Sequence, residues 1–182
     1  NLLPLVAVGV TAVALSIGWA MFADRLYSRT RTAQGRADDI SQIWGGPLQQ
    51  PHPQVRWRRS DAATVELASG ELSRSDVEVD LDLQYRRRGV SEYPCFEAAF
   101  EGTYDFQNPS EVSSFAAFTV GLPVQRDALM LRDVRLLVDG REDAANTEYS
   151  AERISWSGSV SGGATARFQL VYRARGNGRF GY

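Results

Sequence analysis

The chain opens with a long apolar run, from Leu2 to Ala23, that contains no charged residue. An α-helix rises about 1.5 Å per residue, so a run of this length matches the roughly 30 Å hydrocarbon core of a bilayer. The alternative is a cleaved signal peptide, whose apolar region usually covers about 7 to 15 residues. Because this run is longer, it predicts one transmembrane helix over residues 1–23.

Helical periodicity continues beyond the charged residue Asp24. Apolar side chains recur at spacings of three, four and seven, at Leu26, Ala33, Ala37, Ile40 and Trp44. This spacing predicts a helical stalk over 24–46, which ends where Gly45 and Gly46 precede a proline. The apolar face of the stalk either pairs with a partner helix or lies on the chain's own domain.

The period then changes from helical to two, which is typical of strands with one buried face and one solvated face. Val77, Val79, Leu81, Leu83 and Tyr85 are expected to face the core, and they alternate with Asp76, Glu78, Asp80 and Asp82. Alternation also predicts strands over 96–106 and 164–174, with weaker strands over 64–68, 115–122, 130–138 and 149–156. Turn-forming residues separate these runs, for example at Asn108-Pro109-Ser110 and Asp139-Gly140.

Seven or eight such strands without helical segments between them predict an all-β antiparallel sandwich over 47–182. A sheet closed on itself fits the same alternation. The predicted fold class is therefore a β-sandwich preceded by one N-terminal transmembrane helix and a helical stalk.

Charge and cysteine content narrow the function classes. The net charge of −2 gives no electrostatic basis for nucleic-acid binding. With Cys95 as the only cysteine, the chain forms no internal disulfide. Arginines follow the apolar run at 25, 29, 31 and 36, but the positive-inside rule compares both flanks of a helix. Since the chain begins at Asn1 and not at Met, we expect its true start to lie upstream, and charge alone leaves the orientation open.

No catalytic or cofactor motif stands out. His52 is the single histidine and lies in the extended segment QQPHP, where it has no second ligand for a metal. Cys95 is expected to be a buried, unreactive thiol. The stretch Gly158–Gly162 has valine where a nucleophile elbow needs serine. The alternating carboxylates from Asp76 to Asp82 are about 7 Å apart along a strand, which favours a solvated acidic face over a calcium site. The sequence thus predicts a non-enzymatic protein without cofactor or metal.

Contacts with partners and with lipid are assigned to two sets of residues. One face of the membrane helix is predicted to contact other integral membrane subunits through Leu5, Val8, Ala12, Leu15 and Trp19. The membrane surface is predicted to lie near Arg25, Arg29, Trp44 and Trp57. The run from Arg56 to Arg59 is itself interpreted as a strand with tryptophan inside and arginines outside.

Several short motifs resemble the start and the exported domain of CreD-type inner membrane proteins. They are ISQIWGGPL at 40–48, YDFQNP at 104–109, GLP at 121–123, VDG at 138–140 and VYRARG at 171–176. Members of that family carry further membrane helices near the C-terminus, which this sequence lacks. The resemblance implies a bacterial inner membrane location, an exported β-domain and a periplasmic C-terminal side, and it supplies no catalytic residues.

Two functions follow from these predictions. The first is an accessory subunit that stabilises a larger membrane complex, of respiratory or photosynthetic type, through its helix and its β-domain. The second is a CreD-like envelope-stress or sensory protein whose β-domain binds a ligand or a cell-wall component.

Overall fold

The computed structural model describes residues 19, 21–23, 44–63, 66–88, 91–123 and 131–182. The chain divides into two compact units, Asn1–Ile40 and Ser41–Tyr182. Within the described ranges, helix occurs at residues 19, 21–23 and 44, and none of these helical pieces is long and apolar enough to cross a bilayer. Most of the predicted membrane helix and stalk lies outside the described residues, so those two elements stay predictions.

Strands make up nearly all regular structure in the described residues of the second unit. They are β1 Leu48–Gln49, β2 Gln54–Arg59, β3 Ala68–Gly70, β4 Arg74–Arg88, β5 Ser91–Gln107, β6 Ser114–Gly121, β7 Leu131–Val138, β8 Arg141–Glu142, β9 Thr147–Tyr149, β10 Arg153–Val160, β11 Thr165–Asn177 and β12 Phe180–Gly181. The predicted β-rich architecture is confirmed. Residues 66–68 are the described part of the strand predicted over 64–68, and among these three only Ala68 belongs to a strand, since β3 begins there.

Two five-stranded antiparallel sheets form the sandwich. The first has the order β3-β2-β6-β10-β9 and the second the order β4-β5-β11-β7-β8. A short parallel pair of β1 and β12 completes the unit by placing Leu48 beside Phe180. In both sheets the long central strands come from the most regular alternation in the sequence, since β5 and β11 pair along their whole overlap from Thr165–Gln107 to Asn177–Cys95.

The core lies between the inner faces of the two sheets. Every second residue of β6 and of β11 is buried, as alternation requires. Aromatic rings join the sheets: the ring of Phe168 stacks on Phe118 at 4.2 Å between centroids and meets the edge of Trp156 at 5.2 Å. Phe168 belongs to the second sheet and its two partners to the first, so this trio ties both layers together.

The predicted burial of β4 is wrong in its second half. Val77 and Val79 are half-buried, but Leu81, Leu83 and Tyr85 are 42%, 63% and 70% exposed. All five point to the same side as the core residues of β5, since Leu83 pairs with Phe96 and Val79 with Phe100. Alternation tells which side chains share a face, but not whether a second layer covers that face. Here β4 is an edge strand, and its inner face is left open near its C-terminal end.

A buried polar contact anchors the segment before β2 to the core. Gln50 is fully buried; its side-chain amide donates to the carbonyl of Gly121 at 2.8 Å, and its Oε1 accepts a hydrogen bond from the Tyr172 hydroxyl at 2.8 Å. Tyr104, equally buried, has no hydrogen-bond partner for its hydroxyl among the described residues. Burial raises the pKa of both phenols.

These two tyrosines form a matched test. Tyr172→Phe is expected to lower the free energy of unfolding by about 1–2 kcal/mol, because it leaves the buried Gln50 oxygen without its donor. Tyr104→Phe is expected to be neutral or slightly stabilising, because it removes a buried hydroxyl that has no partner. Denaturant unfolding of both variants measures the difference, and equal losses would contradict the role given to the Gln50 contact.

Candidate functional site

Trp44, which precedes the first strand of the sandwich, lies in a cation–aromatic cluster. The guanidinium of Arg86 lies 4.1 Å from the indole centroid and that of Arg175 lies 4.9 Å away. Arg175 also donates to the Glu97 carboxylate at 3.2 Å. Arginine stacks well on indole because its charge is delocalised and weakly hydrated. Trp44 is therefore held on the outer face of the second sheet by one arginine of β4 and one of β11, and the β11 arginine is itself paired with a carboxylate of β5.

Glycines let the chain turn from this outer face into the core. Gly45 has a φ of 97°, a left-handed conformation that suits glycine, and a Cβ there would lie 2.5 Å from the Arg175 carbonyl oxygen. The carbonyl of Gly46 accepts a hydrogen bond from the Asn177 amide at 3.1 Å. The helical residue Trp44 is followed by irregular backbone over 45–47, and the predicted stalk that precedes it, residues 24–43, lies outside the described residues.

Trp57 lies on β2 and borders two open clefts. The larger, about 470 Å³, is also lined by Ser69–Ser73, Phe106, Gln107 and Pro109. The second, about 390 Å³, is bounded by Arg59 and the turn residues 109–112. Val55 is buried and Arg56 exposed while Trp57 is half-buried, so the predicted strand over 56–59 is confirmed.

Trp44 and Trp57, which are predicted to share the membrane surface, lie towards opposite ends of β5. Trp44 contacts Arg175, which pairs with Glu97, whereas Trp57 lines a cleft with Gln107. Ten residues of strand separate these β5 positions, roughly 34 Å at the usual rise. The structure does not bring the two tryptophans together.

Both clefts border Pro109, and the residue before it is a buried asparagine that the sequence predicts only as part of a turn. Asn108 is 1% exposed, and its Nδ2 donates to the carbonyls of Val112, Val160 and Ser161 at 2.9–3.0 Å. Its Oδ1 accepts hydrogen bonds from the Ser110 amide and the Ser114 hydroxyl. One side chain thus fixes the 109–112 turn to β6 and to the end of β10. Turn propensity gives no signal for such burial, because Asn is equally favoured in exposed turns.

A second polar group, Asp105, is fixed close to the same end of β5. Its carboxylate accepts two hydrogen bonds from the Arg167 guanidinium at 2.8 and 2.9 Å, in the bidentate geometry typical of arginine. These hydrogen bonds hold the pKa of Asp105 below its usual value. The carboxylate is therefore ionised and paired, so its role here is to join β5 to β11.

The remaining predicted candidates lie apart from these clusters. Cys95 is fully buried, as predicted, and burial raises the pKa of its thiol. His52 is exposed, with its ring 4.5 Å from that of Tyr182. Asp76, Glu78, Asp80 and Asp82 are exposed along the outer face of β4. The described part of the chain holds no group of three or more His, Cys, Asp or Glu side chains placed to bind a metal.

The elbow-like stretch from Gly158 to Gly162 has a packing explanation. Gly158 belongs to β10, and a Cβ there would meet the Trp156 ring. A Cβ on Gly162 would meet the carbonyl of Glu111. A larger residue at either position would thus clash with a close neighbour. The first part of this stretch lies in a strand.

The residues predicted to contact partners fall in the first unit. Trp19 is helical and 73% exposed, and its ring lies 6.1 Å from that of Phe22. Leu5, Val8, Ala12, Leu15, Arg25 and Arg29 lie outside the described residues, so their roles stay predictions. Comparisons with models of protein families, with curated proteins and with solved structures find no match to this chain.

Proposed function

We propose that this protein is a non-catalytic, membrane-anchored accessory subunit that stabilises a larger membrane complex, of respiratory or photosynthetic type. In this proposal residues 1–23 span a bacterial inner membrane and the β-sandwich lies in the periplasm. The observation that carries it is the uncharged run from Leu2 to Ala23 ahead of a sandwich domain. Its work is to bury surface against partner subunits, which stabilises the assembled state by mass action.

The way the chain joins the sandwich supports this proposal. Trp44 is stacked by Arg86 and Arg175, and Gly45 lies directly against the backbone of Arg175. These contacts fix the segment 44–45 on the sandwich before any partner binds. The entropic cost of ordering an interface is lower when its residues are already fixed.

Point changes in the membrane helix test the helix contacts. Ala12→Leu is expected to reduce the amount of stoichiometric partner that elutes with the chain after gentle detergent extraction, because it adds bulk to the predicted contact face. Ala14→Leu is the matched control, since two residues along a helix place the same change about 200° away. Mass spectrometry of the eluted complex gives the readout. Equal yields for both variants, or the absence of any partner at constant ratio, would contradict the proposal.

The clefts beside Trp57 favour a second candidate, the CreD-like sensory function. A concave site of about 470 Å³ bordered by an aromatic ring and polar groups is of the size that small ligands occupy. In that case soluble muropeptides are expected to raise the unfolding temperature of the protein, and Trp57→Ala is expected to abolish the shift. Stabilisation that survives Trp57→Ala would place binding elsewhere.

A further inference from the structure

Among the described strands, one long sheet edge has no partner strand. Three of the four edges of its two five-stranded sheets end in strands of two or three residues, β3, β8 and β9, whereas the fourth edge is β4 with 15 residues. Across the described ranges, β4 pairs only with β5. Soluble proteins usually keep edge strands short or cover them, because unpaired backbone groups are a template for another strand.

The second half of β4 has a sequence that is complementary to itself when reversed. On its outer face the charge changes sign about Gln84, from Asp82 on one side to Arg86 on the other. On its inner face the exposed apolar side chains Leu83 and Tyr85 lie on either side of the same point. An antiparallel copy centred on Gln84 would therefore match Asp82 with Arg86 and Leu83 with Tyr85, while Leu81 would lie opposite Arg87.

We propose that two copies of this chain pair through β4, antiparallel and centred on Gln84. Asp82 then lies opposite the partner's Arg86, and Leu83 lies opposite the partner's Tyr85. Cross-strand pairs of these two kinds stabilise antiparallel sheets. The pairing joins the two copies of the β4-β5-β11-β7-β8 sheet into one continuous sheet and closes the open edge of both.

Arg86 remains able to bind a carboxylate in this arrangement. One of its Nη atoms donates to Gln84 at 2.8 Å while the guanidinium stacks on Trp44. Stacking uses the face of the guanidinium and leaves its other in-plane N–H groups free to donate. Since Trp44 lies on the outer face of the sheet, both copies would receive their chain from the same face of the joined sheet.

Charge also determines the register. A pairing centred near Asp80 would place Glu78 opposite the partner's Asp82, and like charges directly opposite each other destabilise a sheet. The acidic row already faces carboxylates within the chain, because Glu78 pairs with Glu101 and Asp82 with Glu97. A strand pair of this size gives a weak dimer. Its population rests on the membrane anchoring proposed above, because two chains held in one membrane have a raised effective concentration.

Disulfide cross-linking of the full chain in lipid vesicles tests the pairing. Gln84→Cys places a thiol at the centre of the pair, and mild oxidation is expected to give a covalent dimer on denaturing gels. Asp76→Cys is the matched control, because it lies on the same face of the same strand but roughly 54 Å from its equivalent in the partner. Cys95 is buried in both variants. No dimer from Gln84→Cys, or equal dimer from both variants, would overturn the proposal.

A charge exchange in the Gln84→Cys background makes the test specific. Asp82→Arg is expected to slow cross-linking by about tenfold or more, because it places arginine opposite the partner's Arg86 twice in each dimer. Adding Arg86→Asp is expected to restore the rate to within about threefold of the starting variant. Asp82 and Arg86 are exposed, and far-ultraviolet circular dichroism verifies the fold. Unchanged cross-linking in Asp82→Arg would overturn the pairing.

Discussion

Phe168→Ala is expected to lower the free energy of unfolding by about 3–5 kcal/mol, the usual cost of removing a fully buried phenylalanine. The ring is 0% exposed, stacks on Phe118 at an interplanar angle of 9° and meets the edge of Trp156. Its removal opens a cavity between the sheets, and the rigid aromatic neighbours fill such a cavity only partly.

The effect is measured by denaturant unfolding of the full chain in mild detergent, followed by near-ultraviolet circular dichroism. Phe115→Ala is the matched control, since Phe115 points to the half-buried side of β6 beneath the Arg58 guanidinium. It is expected to cost about 1 kcal/mol. If both variants lose the same stability, the aromatic trio does not hold the sheets together as described.

Asn108→Asp is expected to destabilise the sandwich by about 3–4 kcal/mol although it changes the side-chain shape very little. The amide nitrogen that faces three carbonyl oxygens becomes a carboxylate oxygen. Three carbonyl acceptors then lose their donor, one of them, that of Val160, in a buried hydrogen bond, and a negative charge is placed among them without a cation.

Ser110→Ala serves as control within the same turn. The Ser110 hydroxyl accepts one hydrogen bond from the exposed Val112 amide at 3.2 Å, so its loss is expected to cost no more than about 0.5 kcal/mol. Thermal unfolding of the two variants tells whether stability depends on the Asn108 hydrogen bonds or on any substitution in this turn. Comparable losses would show that Asn108 does not have the central position assigned to it.

The sheet architecture could be predicted from the alternation of apolar and polar residues, because each long strand shows this alternation within its own sequence. β5 and β11 show this well, since every second side chain from Phe96 to Phe106 and from Ala166 to Ala174 is apolar or small, and the structure pairs these strands in full. Positions that depend on the second layer could not be predicted in this way. Leu83 and Tyr85 are exposed because the opposite layer does not cover them. The sequence of β4 alone does not tell how far that layer extends.

The burial of polar residues was harder to predict from the sequence than the burial of apolar residues. Gln50, Asp105 and Asn108 are buried because each finds partners from distant strands, such as Tyr172 and Arg167. Side chains of these types are usually exposed, so burial is decided by tertiary partners that a local pattern does not contain. Likewise, the position of Trp44 depends on Arg86 and Arg175, which lie far from it in sequence.

The parallel pairing of β1 with β12 has a consequence for how the domain forms. It joins Leu48 to Phe180, near the two ends of the second unit, whereas β4 and β5 are adjacent along the chain. Contacts between residues so far apart in sequence carry the largest entropic cost of loop closure and therefore form late in folding. Release of β1 would expose the edge of the core at Phe96 while both sheets kept their ladders. We therefore expect the β1–β12 seam to open before the two sheets do, as a partial unfolding that precedes loss of the sandwich.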